Sequence, residues 1–350
     1  MKRIGLLLTS LNGAGTEKTI LTLSKALVDL GHDVDLFVIR GKGDYEEPKG
    51  VNCIYLNSSS NYEARRKIKK EVFKYRNLYD LFLTSNAKYY DSIPVENKIC
   101  SVHITPTAWI KHPKSKFWST ARKKMNLKRK FANKKVIALS QGIKDDLVNN
   151  LSCDDSSVMV IPNPFEFEKI RLRSLEAGKI LDNDSGYIVY VASLIKRKRH
   201  LDLIYSFSNI RNKNIKLVLV GKGEEERSIR DAAISLGIED RVVFWGWDEN
   251  PYRLLKNARL SVLTSEAEGL PRVLVESLAI GTAVVSTDCP SGPREVLTGV
   301  FSDYLVPVGN RAELTRAIDQ ALENYPDLDL LDIDRFDAKS VAKKYIELCQ

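Results

Sequence analysis

Two glutamates separated by seven residues, Glu268 and Glu276, enclose the turn-forming stretch Gly269-Leu270-Pro271. The apolar run at 260–263 predicts a strand before them, and Pro271 stands where a helix would begin. Parallel sheets bind ligands beyond the carboxyl ends of their strands, and helix starts offer N–H groups to phosphate. Carboxylates placed there could accept hydrogen bonds from sugar hydroxyls, and a vicinal diol such as a ribose suits their two oxygens. The same acids would also fit an ordinary solvated helix.

A run of four basic residues, Lys196-Arg-Lys-Arg199, follows a predicted strand at 187–191. Turns from strand to helix are places where phosphates bind, and this run would neutralise their charge. The alternative is a solvated first turn of helix.

His103 stands at the end of a predicted strand over 98–102, on the side where ligands bind. A single histidine is as often structural as catalytic. The chain has four histidines and five scattered cysteines without C-x-x-C spacing, so we expect no metal site and no disulfide framework.

The first predicted strand is followed by Asn12-Gly-Ala-Gly-Thr-Glu-Lys18, which looks like a nucleotide-binding P-loop. Glu17 occupies the position where that loop needs glycine, so the likeness is coincidental. The glycines instead let the backbone approach a ligand closely.

The segment 111–135 contains eleven lysines and arginines and no acidic residue, with aromatic residues interspersed. Such a segment could lie on an anionic membrane surface, bind nucleic acid, or form a solvated face. The chain carries no signature of a nucleic-acid-binding module, so we expect the membrane and no nucleic acid.

The composition is that of a globular protein, with 350 residues, 43% hydrophobic residues and a net charge of +9. The length suits two domains, and the charge suggests an anionic partner. Scattered cysteines indicate a reducing compartment, and no apolar run is long enough to cross a membrane. We therefore expect a cytosolic or peripheral protein.

Short continuous apolar runs alternate with amphipathic stretches, which predicts parallel α/β sheets covered on both faces. Residues 162–186 interrupt the alternation and predict the connection between two halves. Helices are predicted at 18–30, 63–75, 141–151, 311–323 and 337–348. The predicted strands are 4–8, 34–39, 51–56, 81–84, 98–102, 136–139 and 158–161 in the first half and 187–191, 215–220, 242–245, 260–263, 283–286 and 304–306 in the second.

The Glu-x7-Glu pattern with its glycine-proline interior resembles the signature of family 4 retaining glycosyltransferases of GT-B fold. The segment from Asp288 to Glu295 resembles the loop that follows in many bacterial members. Gly15-Thr-Glu-Lys18 resembles the end of the family's glycine-rich turn.

The resemblance implies an α/β fold with two Rossmann-like domains facing a central cleft. Residues 1–164 with about 335–350 would form the acceptor-binding domain, and residues 165–334 the donor-binding domain. The last helix would cross back to the first domain.

The same resemblance assigns roles to individual residues. Glu276 would bind the nucleotide ribose, and the amides near Gly269 and Leu270 would help to hold the donor. Glu268 and His103 would be the catalytic residues that orient and stabilise the transferred sugar.

The family's phosphate-binding lysine matches Lys198, but Ser193 stands where the family has arginine. Either Arg197 or Lys196 would have to replace that arginine. Gly15 would let the backbone approach the donor, and neither a metal nor another cofactor is expected.

The expected activity is retaining transfer of a hexose-type sugar from a nucleotide diphosphate sugar to a hydroxyl of a glycan or lipid-linked acceptor. The expected setting is lipopolysaccharide or surface polysaccharide synthesis, at the cytoplasmic inner face of the membrane. The alternatives are a nucleotide-sugar epimerase of the same fold and a non-catalytic protein that binds nucleotide sugars or nucleic acid.

Overall fold

The computed structural model describes residues 1–12, 15–41, 43, 45–110, 117–179, 181 and 185–349, with only the backbone of residues 109 and 117–119. Part of the basic segment (111–116) and part of the glycine-rich turn (13 and 14) therefore lie outside the described residues. The chain forms two compact units, one of Met1–Phe165 with Asp334–Gln350 and the other of Glu166–Ile333.

The first unit is built on a seven-stranded parallel sheet. Its inner strands are continuous apolar runs that are almost wholly buried, as in parallel sheets covered on both faces. The order across the sheet is β3-β2-β1-β4-β5-β6-β7. The strands are β1 (Arg3–Leu8), β2 (Asp33–Val38), β3 (Asn52–Tyr55), β4 (Leu81–Thr84), β5 (Lys98–Val102), β6 (Val136–Ala138) and β7 (Val158–Val160).

In the described part of the chain before residue 165, the α-helices of this unit are α1 (Gly15–Asp29), α2 (Asn61–Phe73), α3 (Phe117–Phe131) and α4 (Gln141–Asp145). α2 begins at the N-cap Ser60, whose side chain accepts a hydrogen bond from the backbone N–H of Glu63. Its buried residues Ala64, Ile68 and Val72 pack against Phe37 and Phe82 of the sheet.

The second unit is built on a six-stranded parallel sheet of order β10-β9-β8-β11-β12-β13. The strands are β8 (Tyr187–Val191), β9 (Lys216–Val220), β10 (Val242–Gly246), β11 (Leu260–Leu263), β12 (Val284–Thr287) and β13 (Leu305–Val306). The helices are α5 (Phe167–Ser174), α6 (His200–Asn209), α7 (Glu226–Ser235), α8 (Tyr252–Asn257), α9 (Arg272–Ala279), α10 (Pro293–Val296) and α11 (Arg311–Glu323).

The last helix, α12 (Ala338–Ile346), returns to the first unit and packs against α1. Val341, Ala342 and Tyr345 are buried in the same core as Leu23 and Leu27 of α1. The expected return of the final helix to the first domain is therefore confirmed.

The expected connection over 162–186 contains a helix that the sequence analysis missed. Phe167 and Ile170 of α5 are buried, and the Arg171 Nε donates to the carbonyl of Ala279 at 2.9 Å. α5 packs against α8 and α9, so it belongs to the second unit and is not a linker. The many charged residues of α5 made this stretch resemble a loop. A short helix needs only one buried stripe, and here Phe167 and Ile170 provide it.

In each sheet, the first strand of the unit lies between the second and the fourth. β1 lies between β2 and β4, and β8 lies between β9 and β11. The chain turns in opposite directions at such a point, and a crevice opens beyond the carboxyl ends of the two strands. Within the described part of the chain, no helix is both long enough and apolar enough to cross a membrane.

Candidate active site

The loop after β8 ends in a short 3-10 turn, Lys196–Lys198. The Lys198 carbonyl accepts hydrogen bonds from the Tyr190 hydroxyl and from the Thr264 hydroxyl, both at 2.9 Å. Tyr190 lies in β8 and Thr264 directly follows β11. The two neighbouring strands therefore fix the position of Lys198 at the switch point.

Arg199, which ends this loop, has a left-handed backbone conformation with φ of 49°. This conformation is costly for a residue with a side chain. The Arg199 Nε donates to Asp202 Oδ2 at 2.6 Å, and Arg311 donates to the other oxygen of Asp202 at 2.8 Å. The buried Asp202 carboxylate thus anchors the strained turn, and the charge-assisted hydrogen bonds offset the strain.

Lys198 and Glu268 form an ion pair between the loops after β8 and β11. The two side chains are mostly buried, so water screens their attraction only weakly. A second bond joins the same loops, because Arg197 donates to the Ala267 carbonyl at 2.7 Å. Residues predicted to meet the phosphates and the transferred sugar therefore lie side by side.

The loop after β12 packs against the loop that carries Glu268 and Gly269. The Ser291 hydroxyl donates to the Gly269 carbonyl at 2.9 Å, and Leu270 is buried. Gly292 has φ of 92°, and a Cβ there would lie 2.3 Å from the Gly269 oxygen. Only glycine fits at this position, because any side chain would push Gly269 away.

Glu276 lies in α9, where only 7% of its surface is exposed. The Tyr252 hydroxyl donates to Glu276 Oε1 at 3.1 Å, and Arg272 contacts the same oxygen at 3.4 Å. Burial and the charge of Glu276 raise the pKa of Tyr252, which therefore remains a hydrogen-bond donor. The sequence analysis missed Tyr252, since its separation of 24 residues from Glu276 leaves no local pattern.

His200, which the sequence analysis also missed, is the first residue of α6 and is 2% exposed. Its ring stacks on Tyr190 with 4.5 Å between centroids. Burial and the positive charge of Lys198 lower its pKa from 6.5 to about 3. The imidazole is therefore neutral and acts as a packing surface for Tyr190, which in turn holds Lys198.

Cys289, beside the same loop, is completely buried. Burial and the charge of Glu268 raise the pKa of its thiol to about 12. It is therefore a thiol at neutral pH and not a nucleophile.

Two predicted residues lie in the first unit, both beyond the carboxyl ends of its strands. His103 directly follows β5, and its Nε2 lies 2.9 Å from the Ser101 hydroxyl oxygen. Gly15 is the exposed first residue of α1, and its carbonyl accepts a hydrogen bond from Thr19 at 2.9 Å. Burial raises the pKa of the nearby Glu17.

Among the described residues, no group of three or more histidines, cysteines or acids is arranged to hold a metal ion.

Two Rossmann-like parallel-sheet units, with a final helix packed on the first, define a protein of the GT-B fold class. Solved structures share this fold over the whole chain. A lipopolysaccharide outer core galactosyltransferase superposes with a TM-score of 0.71 at 18% identity, covering 99% of each chain. The Anabaena protein HepE in complex with UDP and glucose gives a TM-score of 0.75 at 19% identity, with the same coverage.

Two family models match the sequence. Residues 13–169 match "Glycosyltransferase Family 4", and residues 174–332 match "Glycosyl transferases group 1". The chain belongs to the family 4 retaining glycosyltransferases.

Two curated relatives are also transferases. A Campylobacter jejuni enzyme, N-acetylgalactosamine-N,N'-diacetylbacillosaminyl-diphospho-undecaprenol 4-alpha-N-acetylgalactosaminyltransferase, is 26% identical over 93% of this chain and 91% of its own length. The Escherichia coli lipopolysaccharide 1,6-galactosyltransferase is 30% identical over 50% of this chain and 49% of its own. These names agree with the expected transferase and not with the epimerase or the non-catalytic alternatives.

Proposed function

We propose that this glycosyltransferase moves a hexose-type sugar from a nucleotide diphosphate sugar to a hydroxyl of a lipid-linked glycan or lipopolysaccharide acceptor. The observation that carries the proposal is the contact between Lys198 and Glu268 at the switch point of the second sheet. A cation for the diphosphate and a carboxylate for the sugar hydroxyls are thereby held next to each other. The names of the two curated relatives support these acceptor classes.

The second unit is the proposed donor-binding domain. Glu276 binds the ribose diol, with Tyr252 and Arg272 fixing its carboxylate. Lys198 neutralises the diphosphate, and the amides near Gly269 and Leu270 help to hold the donor.

Two basic residues remain candidates for the role of the family's missing arginine. Arg197 already donates to the Ala267 carbonyl, whereas Lys196 is exposed. An exposed lysine can turn toward a phosphate without breaking a hydrogen bond, so Lys196 is the better candidate.

The proposed reaction occurs on one face of the sugar. The bond between the anomeric carbon and the diphosphate oxygen breaks, and the acceptor oxygen bonds to that carbon from the same side. The acceptor hydroxyl gives its proton to the departing phosphate, so no protein base is needed. Lys198 stabilises the negative charge that develops on the leaving diphosphate.

The first unit is the proposed acceptor-binding domain. His103 contacts the transferred sugar near its reacting carbon, and Gly15 allows close approach of the backbone. The segment 111–135 lies on the anionic inner face of the cell membrane. Within its described part, α3 exposes Arg122, Lys123, Arg129 and Lys130, and it contains no acidic residue.

Replacing Glu276 with alanine tests the donor site directly. The chain is incubated with a panel of nucleotide sugars and a lipid-linked or lipopolysaccharide acceptor extract, and release of nucleotide diphosphate is measured. Loss of hydrogen bonds to a charged group should raise the KM for the donor by about tenfold or more.

The matched control is Glu323→Ala, an exposed acid of the same unit that pairs with Arg211 and should leave the KM unchanged. An unchanged KM in Glu276→Ala would remove Glu276 from the site. No nucleotide release by the unmodified chain with any donor would contradict the proposed reaction.

A further inference from the structure

The outward face of α2 carries aromatic residues at both ends and cations between them. Tyr62, Arg66, Lys69 and Phe73 follow one another at spacings of four, three and four residues, so they lie on one side of the helix. Tyr62 is 80% exposed and Phe73 49% exposed.

The charge of this face is positive throughout. Arg65 and Lys70 flank the four residues and are exposed. The helix has two acids: Glu63 pairs with Lys67 at 2.8 Å, and Glu71 pairs with Lys74. The acids are therefore neutralised by lysines outside the face, and the cations of the face carry its net charge.

Two further large side chains are exposed to solvent just after the end of α2. Leu78 is 54% exposed, and Tyr75 is 42% exposed. Arg76 stacks on Phe73 with 3.7 Å between its guanidinium carbon and the ring centroid. Four large apolar side chains are thus presented to solvent by residues 62–78, where no local core requires them.

α2 and the basic helix α3 belong to the same side of the first unit. Both pack against the 3-10 segment Ala87–Ser92. Both helices carry exposed cations, and on α2 these cations stand beside exposed aromatic rings.

We propose that the outward face of α2, with Tyr75 and Leu78, is a membrane-contact surface that binds the headgroup region of an anionic lipid bilayer. Tyr62 and Phe73 lie roughly 16 Å apart along the helix, so both ends insert when the helix lies flat. Arg66 and Lys69 then meet lipid phosphates, which is the arrangement of an interfacial amphipathic helix. This inference rests on the proposed function, because the surface would bring the site to a lipid-linked acceptor.

Vesicle flotation of the full chain tests this surface. Wild-type chain should float with vesicles of phosphatidylcholine and phosphatidylglycerol and remain unbound with phosphatidylcholine alone. The pair Arg66→Gln and Lys69→Gln should weaken binding by about tenfold or more, because each cation near the surface contributes separately. The pair Tyr62→Ser and Phe73→Ser should reduce it to a similar degree.

The matched control lies on α7 of the second unit, where Ile234 and Arg227 are also exposed. Ile234→Ser with Arg227→Gln should float like wild type. All these residues are exposed, so circular dichroism and thermal unfolding should show intact folding. Sugar transfer to a soluble acceptor should be unchanged in the α2 variants. If the wild-type chain transferred no sugar to any acceptor, the proposed function would be contradicted. The flotation result would still test the membrane-contact surface independently.

Three results would overturn the inference. The first is equal flotation of the α2 variants and wild type. The second is equal binding of wild type to neutral and anionic vesicles. The third is a wild-type dimer that the Tyr62 and Phe73 substitutions convert to monomer, since the surface would then join two copies of the chain.

Discussion

At the scale of single residues, the donor site depends on side chains that act through other side chains. Tyr190 and Thr264 hold the backbone of Lys198, and Tyr252 holds the carboxylate of Glu276. The proposed donor contacts therefore rest on buried hydroxyls that hold the binding groups in place. Such supporting residues fix the orientation of a binding group before the ligand arrives.

Tyr252→Phe should raise the KM for the donor by about tenfold, because Glu276 loses a buried hydrogen bond to its charged form. The turnover number should change less, since the reacting groups stay in place. Tyr187→Phe is the matched control, as that buried hydroxyl donates to the Leu254 carbonyl at 2.7 Å in the same unit. Equal effects of the two variants on KM would show that Tyr252 acts only on stability.

His200 should make the folded state less stable in acid. Its pKa is lowered from 6.5 to about 3 on folding, so below pH 6.5 only the unfolded chain takes up the proton. The associated stability is present above that pH and is lost as the pH falls. His200→Phe keeps an aromatic ring against Tyr190 but has no group to protonate. Between about pH 7 and pH 5, its free energy of unfolding should fall by about 1–2 kcal/mol less than that of wild type. Urea unfolding at both pH values measures this, and parallel losses would contradict it.

At the scale of elements, the loop between β11 and α9 has its shape because neighbouring loops support it. The Ser291 hydroxyl donates to the Gly269 carbonyl, and Gly292 leaves room for the same oxygen. The loop after β12, whose residues Asp288 to Glu295 resemble a family loop, therefore supports the loop between β11 and α9.

Gly292→Ala should destabilise the chain by about 2–4 kcal/mol and lower transfer activity, because the new methyl group overlaps Gly269. Gly299→Ala is the control: Gly299 also has positive φ, at 59°, but a Cβ there meets no atom within 4 Å. That variant should cost about 1 kcal/mol, from backbone strain alone, and keep its activity. Similar losses in both variants, measured by urea unfolding, would show that the contact with Gly269 is unimportant.

At the scale of the whole molecule, residues from both ends of the sequence build the first unit. α12 supplies Val341, Ala342 and Tyr345 to the core under α1. The chain also pairs with itself where it leaves and re-enters this unit, since Phe165 donates to the Phe336 carbonyl at 2.9 Å. The last residues are therefore needed for the stability of the first unit.

Val341→Ala should destabilise the first unit by about 2 kcal/mol through the cavity it leaves. Hydrogen exchange of the β1 amides should become faster, while exchange of the β8 amides in the second unit should not change. Val300→Ala, at a position that is 53% exposed, should alter neither. Equal acceleration in β1 and β8 would mean that the two units unfold together.

Runs of apolar residues were sufficient to predict the strands and their order along the chain. The observed bounds of Leu81–Thr84, Lys98–Val102, Tyr187–Val191 and Leu260–Leu263 are the predicted ones, because a strand buried on both faces is a continuous apolar run. Helix ends were less certain: α1 begins at Gly15, three residues before the predicted start. The predicted helix over 141–151 is helical throughout, as α4 to Asp145 and then as a π-helix over Asp146–Asn150.

Which distant side chains meet depends on how the strands are ordered within each sheet. Lys198 and Glu268 are 70 residues apart, and the sheet order alone brings their loops together. The same is true of Tyr252 with Glu276 and of Gly292 with Gly269. A local pattern records burial and turn chemistry, whereas a contact between distant residues depends on how strands are ordered across a sheet. The sequence therefore predicted the glutamates and the basic run as site residues, and the fold supplied the residues that hold them.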